Sequence, residues 1–224
     1  MNAERRPRLD ERRLRLVAAL DERRPELANA YESALALLES RPEWMGERTR
    51  VSLISHAMRE VMNRVLSAMG RPTTPVFKPT SSDQIKKLPE LLVRHPELDL
   101  EREGDSQVVV PAEVASAMVK LFKAAVHEKR RVRGDVAALL TDDGNDGHAA
   151  VERWVEAKAF FVKWAHLHDH EVDPASLPSD HEMLANIAIF EELFDGVITA
   201  FFARKHAVQD LLAEINATEG SADE

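Results

Sequence analysis

Apolar residues recur at helical spacing along the segment 48–69, and this periodicity constrains the fold more than any other feature of the chain. At about 100° per residue, one face of such a helix collects the apolar side chains. They are Val51, Ile54, Met58, Val61, Met62 and Val65. The strict apolar–polar alternation typical of strands is nearly absent. Only 8 of the 224 residues are Gly, and Ala, Leu, Glu and Arg are abundant, so the sequence predicts an all-α helical bundle of about six to eight helices.

Similar stripes and helix-ending residues predict the other helices of the bundle. They cover about 9–23, 25–38, 84–93, 112–140 and 149–167. The last apolar stripe, from Ile187 to Ile215, shifts gradually around the helix axis. This pattern predicts one long C-terminal helix or two helices with a bend near 203–206. An unbroken helix of that length would project beyond a small domain and offer a dimer surface.

The proline-rich segment RPTTPVFKPT, residues 71–80, cannot form regular helix and is the one strong candidate boundary. We expect a single domain over 1–224 with a long crossover at this point. The alternative is a division into N-terminal helices 1–70, the linker and C-terminal helices 81–218. The polar tail 219–224 is expected to be disordered.

Charge and composition exclude several classes of protein. The net charge of −9 argues against broad nonspecific binding of nucleic acid. The charge still allows a local basic site that binds phosphate, and either such cluster could instead be an ordinary solvated helix face. The two clusters are Arg5, Arg6, Arg8, Arg12 and Arg13, and Lys129, Arg130, Arg131 and Arg133. The chain has no Cys, which excludes disulfides, a thiolate nucleophile and Cys-ligated zinc. No apolar run approaches the roughly 18 residues of a membrane span, so we expect a soluble, cytoplasmic protein with no membrane partner.

The face opposite the apolar stripe of 48–69 carries an unusual set of polar groups: Ser52, His56, Arg59, Glu60, Asn63 and Ser67. A solvated face is normally filled with Lys and Glu. Here Ser52 and Glu60 lie one turn either side of His56, and Arg59 is well placed to share an anion with it. These groups predict an acid–base site on this helix. The alternative is a buried polar network without catalytic function.

The run Arg50–His56, RVSLISH, is similar to the short motif of HEPN-type helical domains, in which an Arg is followed by a His on the same helix. The resemblance implies a metal-independent endoribonuclease, acting as a toxin or defence effector, with no cofactor. It implies that His56 assists attack of the ribose 2′-hydroxyl, that Arg50 steadies the scissile phosphate and that a dimer completes the site. The charged pair Arg59 and Glu60 suits such helices.

The run WAHLHDHEVD, residues 164–173, brings three imidazoles close to two carboxylates, which are ligand types for zinc or iron. Alternate positions face different ways on a helix, so we expect imidazoles near the negative pole of a helix end instead of a metal site. His166 is the best functional candidate of this run, because it could lie at the core edge beside His56. The segment DDGNDG resembles a calcium loop, but Arg153 stands where that loop needs its final Glu.

Two functions follow from the sequence. The first is the endoribonuclease with RNA as its substrate, with His56, Arg59, Arg50 and Glu60 in the site and Ser52, Asn63 and His166 supporting them. The second is a noncatalytic scaffold or adaptor that forms a homodimer or binds a protein partner through the C-terminal helix. No nucleotide-binding loop, nucleophile elbow or zinc-protease motif is present, so no cofactor and no metal are expected.

Overall fold

The computed structural model describes residue 7 and residues 9–70, 75, 78–96, 98, 109–166 and 176–219, with side chains up to Phe201. Eight helices lie in this part of the chain: α1 Glu11–Arg23, α2 Pro25–Glu39, α3 Glu47–Ala68, α4 Ser81–Ile85, α5 Leu88–Arg94, α6 Ala112–Leu140, α7 Ala149–Trp164 and α8 Asp180–Glu219. The described residues contain no strand. The prediction of an all-α bundle with a long C-terminal helix is confirmed, and α8 runs unbroken over 40 residues.

Helix ends follow the local sequence signals. Asp10 caps α1 by accepting a hydrogen bond from the backbone N–H of Arg13 at 2.8 Å. Pro25 opens α2, where its missing N–H costs nothing. Gly70, just after α3, has a φ of 66°, the left-handed conformation that glycine adopts at the C-terminal end of many helices.

The chain separates into two compact units. Unit 1 comprises Met1–Pro72 and Val136–Glu224, and unit 2 comprises Thr73–Asp135. Most of the proline-rich segment 71–80 and the tail after Glu219 lie outside the described residues. A single domain over 1–224 stays a prediction.

The core of unit 1 forms where α3 packs against α2 and α7, and where α8 packs against α1 and α7. All six apolar residues of the α3 stripe are at most 1% exposed. Phe190 of α8 lies among other rings, with centroid distances of 5.9 Å to Tyr31, 5.7 Å to Trp154 and 5.5 Å to Phe194. These contacts place the aromatic side chains of three helices in one core.

A buried carboxylate, Glu191 of α8, joins three helices of unit 1. It is 5% exposed. Its Oε1 accepts hydrogen bonds from the hydroxyl of Tyr31 in α2 at 2.6 Å and from Nε of Arg13 in α1 at 2.8 Å. Burial raises the pKa of the Tyr31 phenol, and the adjacent carboxylate raises it further, so the hydroxyl keeps the proton that it donates.

Unit 2 contains α4, α5 and most of α6. Thr80 and Asp83 form a reciprocal cap on α4, with N–H to oxygen distances of 3.0 and 3.1 Å. Ser81 donates from its backbone N–H and its hydroxyl to Glu128 at 2.7 and 2.6 Å, which ties α4 to α6. Among the residues described, we find no helix with the length and apolar character needed to cross a membrane.

Candidate functional site

The polar face of α3 lies at the surface of unit 1 and meets the end of α7. His56 is exposed, and Arg59 and Glu60 are half-buried. The hydroxyl of Ser52 donates to the backbone carbonyl of Ala165 at 3.0 Å. Because Ala165 is the C-terminal cap of α7, this bond fixes the end of that helix against α3 and places the next residue, His166, over the polar face.

The guanidinium of Arg59 bridges two imidazoles. Its Nη2 lies 3.3 Å from Nδ1 of His56, and its Nη1 lies 3.4 Å from Nε2 of His166. His166 is exposed, as is His56. We call these three residues the histidine–arginine cluster. The sequence indicates that His166 could lie beside His56, and in the structure both rings lie within reach of one guanidinium.

The N–H donors of Arg59 determine which tautomer of His56 and of His166 can accept a hydrogen bond from it. A guanidinium only donates hydrogen bonds, so each ring nitrogen that faces it must accept. In a neutral imidazole the other nitrogen then carries the hydrogen, which is Nε2 for His56 and Nδ1 for His166. The two rings therefore direct their lone pairs at the same cation.

Glu60 holds the cluster's cation in place. Its Oε1 accepts from Nη2 of Arg59 at 3.0 Å, and its Oε2 accepts from Nε of Arg64 at 3.0 Å. The hydrogen bond from Arg59 lowers the pKa of the Glu60 carboxyl, and Arg64 lowers it further. One carboxylate thus lies between two guanidinium groups, which leaves a net positive charge beside the imidazoles.

Arg50 lies apart from the cluster, in the interior. Its side chain is 1% exposed. Nη1 donates to the carbonyl of Leu37 at 3.1 Å, Nε donates to Glu47 at 3.1 Å, and Nη2 binds both Glu47 and Asp180. These bonds join the end of α2, the start of α3 and the start of α8, and they occupy the donors that a phosphate would need.

The remaining candidates have simpler surroundings. Asn63 is exposed on the same face of α3 as the cluster. Residues 167–175, which include His168 and His170, lie outside the described part of the chain. Within the part that is described, no three His, Asp or Glu residues are grouped as a metal site would require. Arg64, the second partner of Glu60, was missed by the sequence analysis, although its spacing of one turn from Glu60 is a usual signal for an ion pair.

Comparison with known protein families, characterised proteins and solved structures finds no match to this chain. Exposed imidazoles can act as a general acid or a general base, and a guanidinium between them can bind an oxyanion with two donors. Acid–base catalysis at a phosphate or another anionic ester is the chemistry that this set of groups can perform.

Proposed function

We propose that the histidine–arginine cluster is the active site of a metal-independent endoribonuclease. The observation that carries the proposal is the position of the Arg59 guanidinium, within hydrogen-bonding reach of two exposed imidazoles, one on α3 and one just after the end of α7. The similarity of RVSLISH to the HEPN motif supports the same activity, and a role as toxin or defence effector rests on that similarity alone. Arg59, and not Arg50, supplies the cation in this proposal, because Arg50 is buried in its ion pairs.

The proposed reaction begins when a phosphate of RNA takes the donors of Arg59 from the two rings. His56, with its lone pair released, removes the proton of the ribose 2′-hydroxyl, and O2′ attacks phosphorus. The P–O5′ bond breaks, and the other imidazole, His166 in its protonated form, gives a proton to the leaving 5′ oxygen. The products are a 2′,3′-cyclic phosphate and a 5′-hydroxyl. Arg59 stabilises the charge that develops on the phosphate oxygens.

Glu60 and Ser52 are positioning residues in this proposal. Glu60 directs the guanidinium of Arg59 towards the two imidazoles. Ser52 holds the end of α7 so that His166 faces α3. Neither residue contacts the reacting atoms. A dimer that completes the site, as the HEPN similarity implies, would add groups from a second copy to this surface.

Replacing His56 with Ala is expected to lower the rate of RNA cleavage about 10²- to 10⁴-fold, the usual contribution of a general acid or base. The melting temperature should stay unchanged, because the ring is exposed. The assay follows cleavage of a defined RNA in excess EDTA and identifies the product ends. His181→Ala, which removes an exposed imidazole from the first turn of α8, is the matched control and should cleave as the parent does.

A substrate with a single 2′-deoxy sugar at the cleavage position tests the mechanism itself. We expect it to resist cleavage there, because O2′ is the nucleophile. Cleavage that survives both the 2′-deoxy sugar and the His56 substitution would contradict the proposal, as would the absence of any cleavage by the folded parent protein.

The alternative function is a noncatalytic scaffold that forms a homodimer, or binds a protein partner, through α8. The length of this helix favours it. The guanidinium of Arg23 lies 5.1 Å from the ring centroid of Phe201, and α8 continues from there to Glu219. That extension is about 27 Å long at about 1.5 Å per residue. The sequence of the extension keeps an apolar stripe through Val208, Leu212 and Ile215.

Light scattering during size-exclusion chromatography tests this alternative on the full chain. We expect a dimer for the parent and a monomer for the double variant Val208→Asp, Leu212→Asp, because two charges on the apolar stripe oppose burial. Gln209→Asp combined with Ala213→Asp adds the same charges beside the stripe and should remain dimeric. A monomeric parent would exclude self-association through α8.

A further inference from the structure

A cleft of about 660 Å³ lies in unit 2, between α5 and the first half of α6. Its apolar lining comes from Leu91, Ala117 and Pro79. Sites for small molecules typically have volumes of about 300–1,000 Å³, so the cleft is large enough for one. It lies entirely within unit 2 and shares no residue with the histidine–arginine cluster.

Two helices turn one face each towards this cleft. Lys87, Leu91 and Arg94 line it at the spacing of successive helical turns, with Lys87 as the N-terminal cap of α5. Ser116, Lys120 and Lys123 line it at the same spacing from α6. Both helix faces therefore present cationic groups to the cleft, with Leu91 between two of them on α5.

The cleft is locally cationic in a chain of net charge −9. Four basic side chains line it against two carboxylates: Lys87, Arg94, Lys120 and Lys123 against Glu90 and Glu113. The basic group that is already neutralised is Arg94, whose Nη1 lies 2.8 Å from Oε1 of Glu113. The three lysines form no ion pair with any residue that the structure describes.

The remaining lining residues indicate which kind of anion would fit. None of the described lining residues carries an aromatic ring, so this part of the cleft offers no surface on which a nucleobase could stack. Leu91, Ala117 and the methylene stems of the lysines offer aliphatic contact instead, while the ammonium groups stay near water. A ligand that matches both features has an aliphatic body and an anionic head.

We propose that this cleft binds a small aliphatic carboxylate, with its chain against Leu91 and Ala117 and its carboxylate among the ammonium groups of Lys120, Lys123 and Lys87. Cations that form no ion pair with the described residues and lie beside an apolar surface attract an anion with its own apolar part, because the ion pair and the burial of the chain then form together. This site is independent of the proposed ribonuclease activity, and either proposal can fail without the other.

Isothermal titration calorimetry of the full chain with decanoate tests this site. We expect a single saturable site with a Kd below about 1 mM. Acetate, which has the head without the chain, and decyltrimethylammonium, which has the chain with the opposite charge, should show no saturable binding. The double variant Lys120→Gln, Lys123→Gln should bind decanoate at least about tenfold more weakly, because it loses charge-assisted contacts. The variant Ala117→Phe, whose ring would occupy the cleft, should bind no decanoate.

The matched control is Lys129→Gln combined with Arg130→Gln, which removes the same charge from exposed positions of α6 outside the cleft. Its decanoate affinity should equal that of the parent, and the melting temperatures of all variants should agree. The proposal is overturned if decanoate does not bind, if both double variants bind it equally, or if the cationic probe binds as well as decanoate. Saturable binding of hexauridylate in place of decanoate, lost in Lys120→Gln, Lys123→Gln, would identify a nucleic-acid phosphate site and also overturn it.

Discussion

Replacing Arg50 with Ala is expected to lower the free energy of unfolding by about 1.5–3 kcal/mol, because it removes a buried side chain that donates hydrogen bonds to two carboxylates. The Arg50 side chain is 1% exposed and binds the carboxylates of Glu47 and Asp180 and the carbonyl of Leu37. Its loss removes the buried donor that joins these acceptors where α2, α3 and α8 meet, and leaves Asp180 with only the exposed Arg41 as a partner. Urea unfolding, followed by circular dichroism, measures the change.

Arg41→Ala is the matched control, because Arg41 also binds Asp180, with Nη2 2.6 Å from Oδ2. The Arg41 side chain is 62% exposed, however, and exposed ion pairs contribute only about 0–1 kcal/mol. Burial therefore predicts a large difference between two arginines that share one carboxylate. Equal losses for the two variants would show that Arg50 does not act as a buried anchor.

The same ion pairs predict how stability depends on pH. Burial raises the pKa of Asp180, but hydrogen bonds from Arg50 and Arg41 outweigh it, so the pKa is lowered. The hydrogen bond from Arg50 likewise lowers the pKa of Glu47. Carboxyl groups with lowered pKa values stabilise the fold above their unfolded values, about 4, and lose this contribution as the pH falls through the folded values. Acid should therefore destabilise the parent more than Arg50→Ala, which lacks the pairs with Arg50 and keeps only those with Arg41.

Arg50 also shows where sequence reasoning stops. The helical period of 48–69 predicts the burial of the six apolar residues of the α3 stripe, because the face of a helix depends only on local spacing, but it does not predict the burial of Arg50. Arg50 was interpreted as a phosphate ligand from its place in RVSLISH. Its partner Asp180 lies far away in sequence, and only the tertiary fold brings the first residue of α8 to the first turn of α3. No local pattern contains that contact.

The histidine–arginine cluster was partly predictable for the same reason. His56 and Arg59 lie within one turn of α3, so their proximity follows from the sequence. The contact of Arg59 with His166 depends on where α7 ends and on the bond from Ser52 to Ala165, which are tertiary features.

The division into two units is also only partly visible in the sequence. The boundary between the units after Pro72 falls in a proline-rich segment. The boundary after Asp135 falls inside the continuous helix α6 and has no signal in the sequence.

Replacing Glu191 with Ala is expected to cost about 3–5 kcal/mol of unfolding free energy, because it leaves the half-buried guanidinium of Arg13 and the buried hydroxyl of Tyr31 without their acceptor. Glu192→Ala is the control on the neighbouring residue. Glu192 binds Arg153 with two oxygens at 3.0 and 2.7 Å, but both side chains are largely exposed. We expect that variant to lose at most about 1 kcal/mol in the same urea titration.

Glu191→Gln separates charge from hydrogen bonding at this position. The amide oxygen can still accept from Tyr31 or Arg13, but it no longer neutralises the guanidinium. A loss intermediate between those of the parent and Glu191→Ala would show that the negative charge itself stabilises the junction of α1, α2 and α8. If Glu191→Gln matches the parent, hydrogen bonding alone holds the junction. If Glu191→Ala loses no more than Glu192→Ala, burial of the carboxylate does not make this junction strong, and α8 must be held chiefly by the aromatic packing around Phe190.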